Sequence, residues 1–254
     1  MDVLSGGELR RAVVLGSVTD VQFDAIFPAR IEAASRCYWT PMRVARSASE
    51  LLARHGARNV LDVGSGAGKF CLVNACLAPG IQFTGVEQRP SLVRAATDAA
   101  RLLSLGNVEF RLGDATTVDW HLYDAFYFFN PFAENSFPIE DQFDDTVELS
   151  RRKEHADVER VEAGLLRAPI GACVITYHGF GGRIPACYEL ADEVESGLSV
   201  VRAWRKRTDG RAEDGYWLEL PEGGTTRYEE SSAERRVLRA VRAAAVDADG
   251  AEEV

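Results

Sequence analysis

The sequence predicts a doubly wound α/β protein with a mostly parallel, seven-stranded sheet that closes on a terminal antiparallel strand. Three observations predict it. Apolar runs of strand length alternate with longer stretches whose apolar residues recur at helical spacing. One run, Tyr123 to Phe129, is apolar nearly throughout, as a central strand covered on both faces should be. A glycine-rich stretch at 64–68 lies between the first strand and the helix after it, where such sheets turn the chain sharply.

The elements follow in order. Residues 1–37 read as an irregular lead-in with scattered apolar positions, Val21, Phe23, Ile26 and Phe27, and a short helical pattern after Pro28. Thr40-Pro41 predicts a helix start, with Thr capping and Pro at the first helical position, and the helix runs through Val44, Ala48, Leu51 and Leu52 to His55-Gly56. Strands are expected at 59–63, 81–86, 108–112, 123–129 and 173–177, with helices at 68–77 and 90–103 between them. A long charged helix is expected over about 140–167, and Leu198–Trp204 with Tyr216–Leu220 as a terminal antiparallel pair. The chain divides into the lead-in, a core at 38–221 and a polar tail at 222–254 that reads as flexible.

Bulk composition narrows the function. With 29 basic against 39 acidic side chains the net charge is −10, which disfavours a protein that grips a phosphate backbone. Five cysteines, at 37, 71, 76, 173 and 187, form no C-x-x-C and read as reduced thiols. No apolar run approaches the roughly 20 residues of a membrane span. A cytoplasmic protein is expected.

Four motifs carry chemistry. In Asp62-Val63-Gly64-Ser65-Gly66-Ala67-Gly68 the glycines let bare backbone approach a ligand, and the next helix offers its first amides there. The loop is no phosphate-binding P-loop, because Val63 stands where that motif needs its first glycine and Phe70 follows Lys69. It also lacks the third glycine of the dinucleotide fingerprint, since Lys69 occupies that place. Glu87-Gln88 sits at the tip of the second strand, 19 residues after Gly68 for the glutamate, where a carboxylate can accept both hydroxyls of a ribose. Gly113-Asp114-Ala115 follows the third strand, and Phe129-Asn130-Pro131-Phe132 ends the fourth.

This order and spacing resemble class I methyltransferases that use S-adenosylmethionine (SAM), over about residues 38–220 and most closely in small bacterial forms. The resemblance implies that Asp62, Gly64, Ser65, Gly66 and Gly68 form the SAM loop. Glu87 and Gln88 would hold the ribose, and Asp114 and Ala115 would read the adenine. Trp39-Thr40, in the segment Tyr38-Trp39-Thr40-Pro41, would close over the cofactor; a helix cap with a buried Trp is the competing reading.

Asn130-Pro131-Phe132 resembles the Asn/Asp-Pro-Pro-aromatic motif of enzymes that methylate nitrogen, lacking the second Pro. It implies that Asn130 accepts from the target NH, Phe132 stacks on the substrate and Asn130 also borders SAM. Glu134, Asn135 and Phe137 are expected at the substrate entrance, and His178 reads as a base, a substrate contact or a structural histidine. The expected activity is methyl transfer to nitrogen on a protein side chain or small metabolite, without a metal. The alternatives are a non-catalytic SAM-binding regulator and a nucleic-acid base methyltransferase; a nicotinamide oxidoreductase ranks last.

Overall fold

A computed structural model describes residues 4–197, 199–219 and 225–228. Four helices precede the sheet: α1 (Gly6–Leu15), α2 (Asp20–Asp24), α3 (Ala29–Tyr38) and α4 (Met42–Arg54). The wound core then runs β1 (Asn59–Val63), α5 (Lys69–Leu77), β2 (Gln82–Glu87), α6 (Pro90–Leu102), β3 (Val108–Leu112), β4 (Ala125–Phe128), α7 (Arg151–Arg167) and β5 (Cys173–Tyr177). After β6 (Ile184–Pro185) come β7 (Tyr188–Ser196), β8 (Ser199–Lys206), β9 (Tyr216–Glu219) and β10 (Thr225–Tyr228). The main sheet has the order β3-β2-β1-β4-β5-β8-β7, with β8 antiparallel to both neighbours. The expected seven-stranded, mostly parallel sheet is therefore present.

Period-two alternation in the central strands feeds two cores at once. Phe126 and Phe128 of β4, Leu61 and Val63 of β1 and Val174 of β5 pack on the face covered by α7. Ala125 and Tyr127, Val60, and Cys173, Ile175 and Tyr177 pack on the opposite face with α4 and α5. A third apolar cluster joins α1–α3 to α5 and α6 through Leu9, Val13, Phe23, Ile31, Leu72 and Leu92. That is why α5 is buried from Lys69 to Cys76, with no polar face: the sheet covers one side and the N-terminal helices the other.

Several boundaries differ from expectation for identifiable reasons. The helix expected after Pro28 is α3, but the irregular stretch before it is instead two helices, each opened by a capping box, Ser5 with Glu8 and Thr19 with Gln22. Thr40 caps nothing. Pro41 is the N-cap residue of α4, and the free Met42 amide donates to Asp20 Oδ1 at 2.9 Å while the Thr40 hydroxyl meets Tyr127 Oη at 3.1 Å. The charged helix begins only at Arg151, because Ser150 caps it by accepting from Lys153 N. Residues 133–149 before it hold two short 3₁₀ turns.

The terminal antiparallel pair is β7 with β8, while β9 pairs with β6 and β10 in a separate three-stranded sheet. Leu198 and Leu220, expected at strand ends, lie outside the described residues, as does most of the 222–254 tail. Within that stretch Thr225–Tyr228 forms a strand. No helix among the described residues is long and apolar enough to cross a membrane.

Candidate cofactor and acceptor site

The C-terminal tips of the parallel strands gather the singled-out residues. The glycine loop leaves β1 with Gly64, Gly66 and Gly68 all in the left-handed region, at φ 71°, 53° and 78°. Close approach explains the first two. A Cβ at Gly64 would stand 2.9 Å from Pro131 Cβ, and one at Gly66 would stand 2.4 Å from the Trp39 ring. Trp39 is thus the wall opposite the loop, fixed by its Nε1–H donating to Ile31 O at 2.9 Å. Ser65 turns its hydroxyl behind the loop towards Gly85, and Gly64 and Ser65 amides both donate to Val86 O.

Glu87 is buried at the loop's edge. Its Oε2 accepts from Gly66 N at 3.0 Å and its Oε1 from Arg89 N at 2.8 Å. Burial pushes this carboxyl up, opposed by those backbone amides and by the Arg89 charge. Gly113 N donates to Glu87 O at 2.9 Å, which sets the loop after β3 beside the tip of β2. Asp114 there accepts from the Thr116 amide and hydroxyl at 2.8 and 2.7 Å. Asp62, beneath the loop, meets the Cys71 thiol at 3.4 Å, and burial pushes its carboxyl up to about 7.

Two cavities open along these tips. One of about 50 Å³ is lined by Gly64, Glu87, Gln88, Asp114 and Ala115, with Pro131, Phe132 and Asn135. The other, of about 170 Å³, is lined by Trp39, Gly66, Asn130 and Pro131 and by the rings of Tyr38, Phe129, Phe137 and Phe143. Thr40 and Gly68 line neither, and Gly68 packs its bare Cα against Phe110. Phe132 belongs to the buried core beside Phe128 and borders only the smaller cavity. The ring beside Asn130 in the larger cavity is Phe129. Asn130 is exposed at φ 43°, and its amide donates to Gly179 O at 2.9 Å. His178 also has left-handed backbone, φ 61°, with its ring centroid 4.3 Å from Tyr177 and 6.0 Å from Phe129. Burial pulls its imidazole down, partly offset by Glu219.

A buried carboxylate set against a glycine loop, a second acidic loop at the next strand tip and a polar strand end facing an aromatic cavity are now together. The sequence profile of the family described as methyltransferase domain matches residues 54–198, more than half the chain. The chain belongs to the methyltransferase-domain family. As a methyltransferase it is an enzyme of group transfer, which fits a groove at the carboxyl ends of parallel strands.

Among solved structures it is similar to an RNA methyltransferase from Salinibacter ruber in complex with S-adenosyl-L-homocysteine, at 20% identity and TM-score 0.46, covering 69% of this chain and 97% of that one. It is also similar to the PH0226 protein from Pyrococcus horikoshii OT3, at 15% identity and TM-score 0.46, covering 69% and 99%. Neither likeness is close enough to carry an argument about ligand or substrate. No curated protein matches the chain.

Sequence reasoning missed several lining groups of this methyltransferase. Lys153 and Asp157 reach the smaller cavity from α7, joined at 2.6 Å. Arg89, also missed, borders both cavities, as does Glu134, expected from sequence at the substrate entrance. Arg89 lies two residues beyond Glu87, and its buried pairing across 45 residues leaves no local signature.

Proposed function

We propose that the protein transfers the methyl group of SAM to a nitrogen acceptor, on a protein side chain or a small metabolite. The carrying observation is that Asn130 lines the same cavity as Gly64, Gly66 and five aromatic side chains. The groove suits the cofactor on three counts. Glu87 offers a buried carboxylate where a ribose would lie, Gly64 and Gly66 leave space that a Cβ would fill, and Asp114 and Ala115 line the end suited to a base. Residues 38–221 are taken as the catalytic domain on the same reading.

Bound SAM supplies an electrophilic methyl on a sulfonium and becomes S-adenosylhomocysteine (SAH) on transfer. The protein's own contribution is positional. The Asn130 side-chain oxygen accepts a hydrogen from the acceptor nitrogen and aims its lone pair at the methyl carbon, while Phe129 and Phe137 flank the acceptor. As the N–C bond forms and the C–S bond breaks, the sulfonium charge is lost and the nitrogen releases its proton to solvent. Trp39 and the glycine loop exclude water from the reacting end.

Calorimetric titration with SAM, SAH and NAD separately, followed by transfer of labelled methyl into cell fractions split into protein and small molecules, tests this. SAH binding that is weakened in Glu87→Ala, with label on nitrogen that is lost in Asn130→Ala, supports the reading. Binding of NAD alone, or label on oxygen or carbon, refutes it.

A further inference from the structure

The two cavities share the walls Gly64, Glu87, Arg89, Pro131 and Glu134. Across that partition Arg89 Nη2 meets Glu134 Oε1 at 3.0 Å, and Arg89 Nε meets Asp144 Oδ1 at 2.8 Å. The three side chains are 8%, 12% and 8% exposed, so the contact is largely out of water, where one guanidinium holding two carboxylates is strong. Glu134 Oε1 also accepts the Phe143 amide at 2.6 Å. Phe143 packs 5.9 Å from the Trp39 ring and 5.0 Å from the Arg30 guanidinium, which donates to its carbonyl. Tyr38 Oη donates to Asp141 O at 2.5 Å. Residues 133–149 therefore form a strap across the groove. Beneath it the cavities of about 50 and 170 Å³, even taken together, fall short of the roughly 300 Å³ at which pockets for small ligands begin.

We infer that Arg89 is a positioning residue of the cofactor site and the latch of this strap, so that cofactor enters and leaves only when the Arg89–Glu134–Asp144 contact releases. This rests on the SAM reading above. The backbone of Arg89 holds Glu87 Oε1 at 2.8 Å while its side chain holds the strap, so one residue ties the ribose carboxylate to the cover. Loosening the strap from its own side leaves Glu87 and the glycine loop in place. Rates of exchange then change more than affinity does.

The test is stopped-flow binding of SAH to wild type, to the Glu134→Gln/Asp144→Asn double variant and to Arg89→Lys, with amide hydrogen exchange across 133–149. The double variant should bind and release SAH about tenfold faster, with a smaller change in Kd and faster amide exchange. Arg89→Lys, which keeps the charge without the two-pronged geometry, should fall between. If amide exchange quickens while both SAH rates stay at the wild-type values, the strap is off the binding path and the inference is overturned. Unchanged amide exchange overturns the latch itself. If wild type takes up no SAH by calorimetry, the cofactor reading fails and the gate falls with it; wild-type binding with unaltered variant rates sinks the gate alone.

Discussion

Asn130 pairs a polar side chain with a backbone conformation that glycine adopts more cheaply, φ 43° at a strand tip. A protein that needed only the turn would do as well with glycine. Asn130→Gly should therefore keep or slightly raise the melting temperature, while methyl transfer falls about a hundredfold through lost orientation of the acceptor. Unchanged turnover in that variant would mean the side chain does not meet the acceptor. Asp62 offers a second test. Its carboxyl rises from the ordinary 3.8 to about 7, first through burial, against the Cys71 thiol and with the Glu87 charge. The folded protein thus holds this proton more tightly than the unfolded chain does. Stability is full below about pH 4, and it is lost as pH rises towards 7, by at most roughly 4 kcal/mol. Asp62→Asn should lack that slope, so denaturant melts at pH 5 and pH 8 should diverge less for the variant than for wild type. At this scale the sequence was most informative where chemistry is local. Gly64, Gly66 and Glu87 meet at the same strand tips because each follows its own strand directly. Phe132 was harder to place, since which of two rings flanking a turn faces solvent depends on packing against Phe128 and Val161.

At the level of elements, legibility followed the apolar pattern. Strands β1 and β5 were readable to the residue as apolar runs between turns, and the edge strand β3, none of whose residues is buried, from the alternation Val-Glu-Phe-Arg-Leu. Strand β7, Tyr-Glu-Leu-Ala-Asp-Glu-Val-Glu-Ser, was missed, for it is an edge strand whose side chains are largely charged and whose ladder contains an irregularity between Leu190 and Asp192. Helices α1 and α2 were missed although their capping boxes stood in the sequence, because they are short and take their stability from packing against the core. Helix α7 carries Gly164 in its last turn, where alanine would ordinarily be preferred. Here the Trp120 indole lies where a Cβ would come within 2.7 Å, and that indole stacks at 4.7 Å on Phe126. Gly164→Ala should thus destabilise by about 1–3 kcal/mol despite its better helix propensity, as a melt would show. A stabilised variant would place Trp120 elsewhere.

For the molecule as a whole, the mostly parallel, doubly wound sheet could be anticipated from alternation, but the seating of residues 4–38 could not. Lys69, read from sequence only as the residue that breaks a dinucleotide motif, is the anchor. It is 2% exposed, with its Nζ 2.7 Å from Asp20 Oδ1, 2.7 Å from Asp24 Oδ1 and 3.3 Å from Ser35 Oγ. One cation at the start of α5 therefore gathers α2 and α3 over the glycine loop. Burial already pushes the Asp24 carboxyl up, with Lys69 and Ser35 opposing it. Lys69→Met should cost about 3–5 kcal/mol by stranding that carboxylate, and adding Asp24→Asn should recover part of the loss in a denaturant melt. Simple additivity of the two would mean the pair is not coupled.

The cysteines have a consequence for covalent reagents. Cys71, Cys76, Cys173 and Cys187 are buried with their thiols pushed up, to about 11 for Cys76 and about 12 for Cys173. Cys37 alone among the five is exposed, and it borders the aromatic cavity next to Tyr38. An electrophile that alkylates thiolates would therefore mark one position, at the mouth of the aromatic cavity, and leave the interior untouched. The fold thus carries a native attachment point for a fluorophore or a tethered inhibitor, with no engineered residue required.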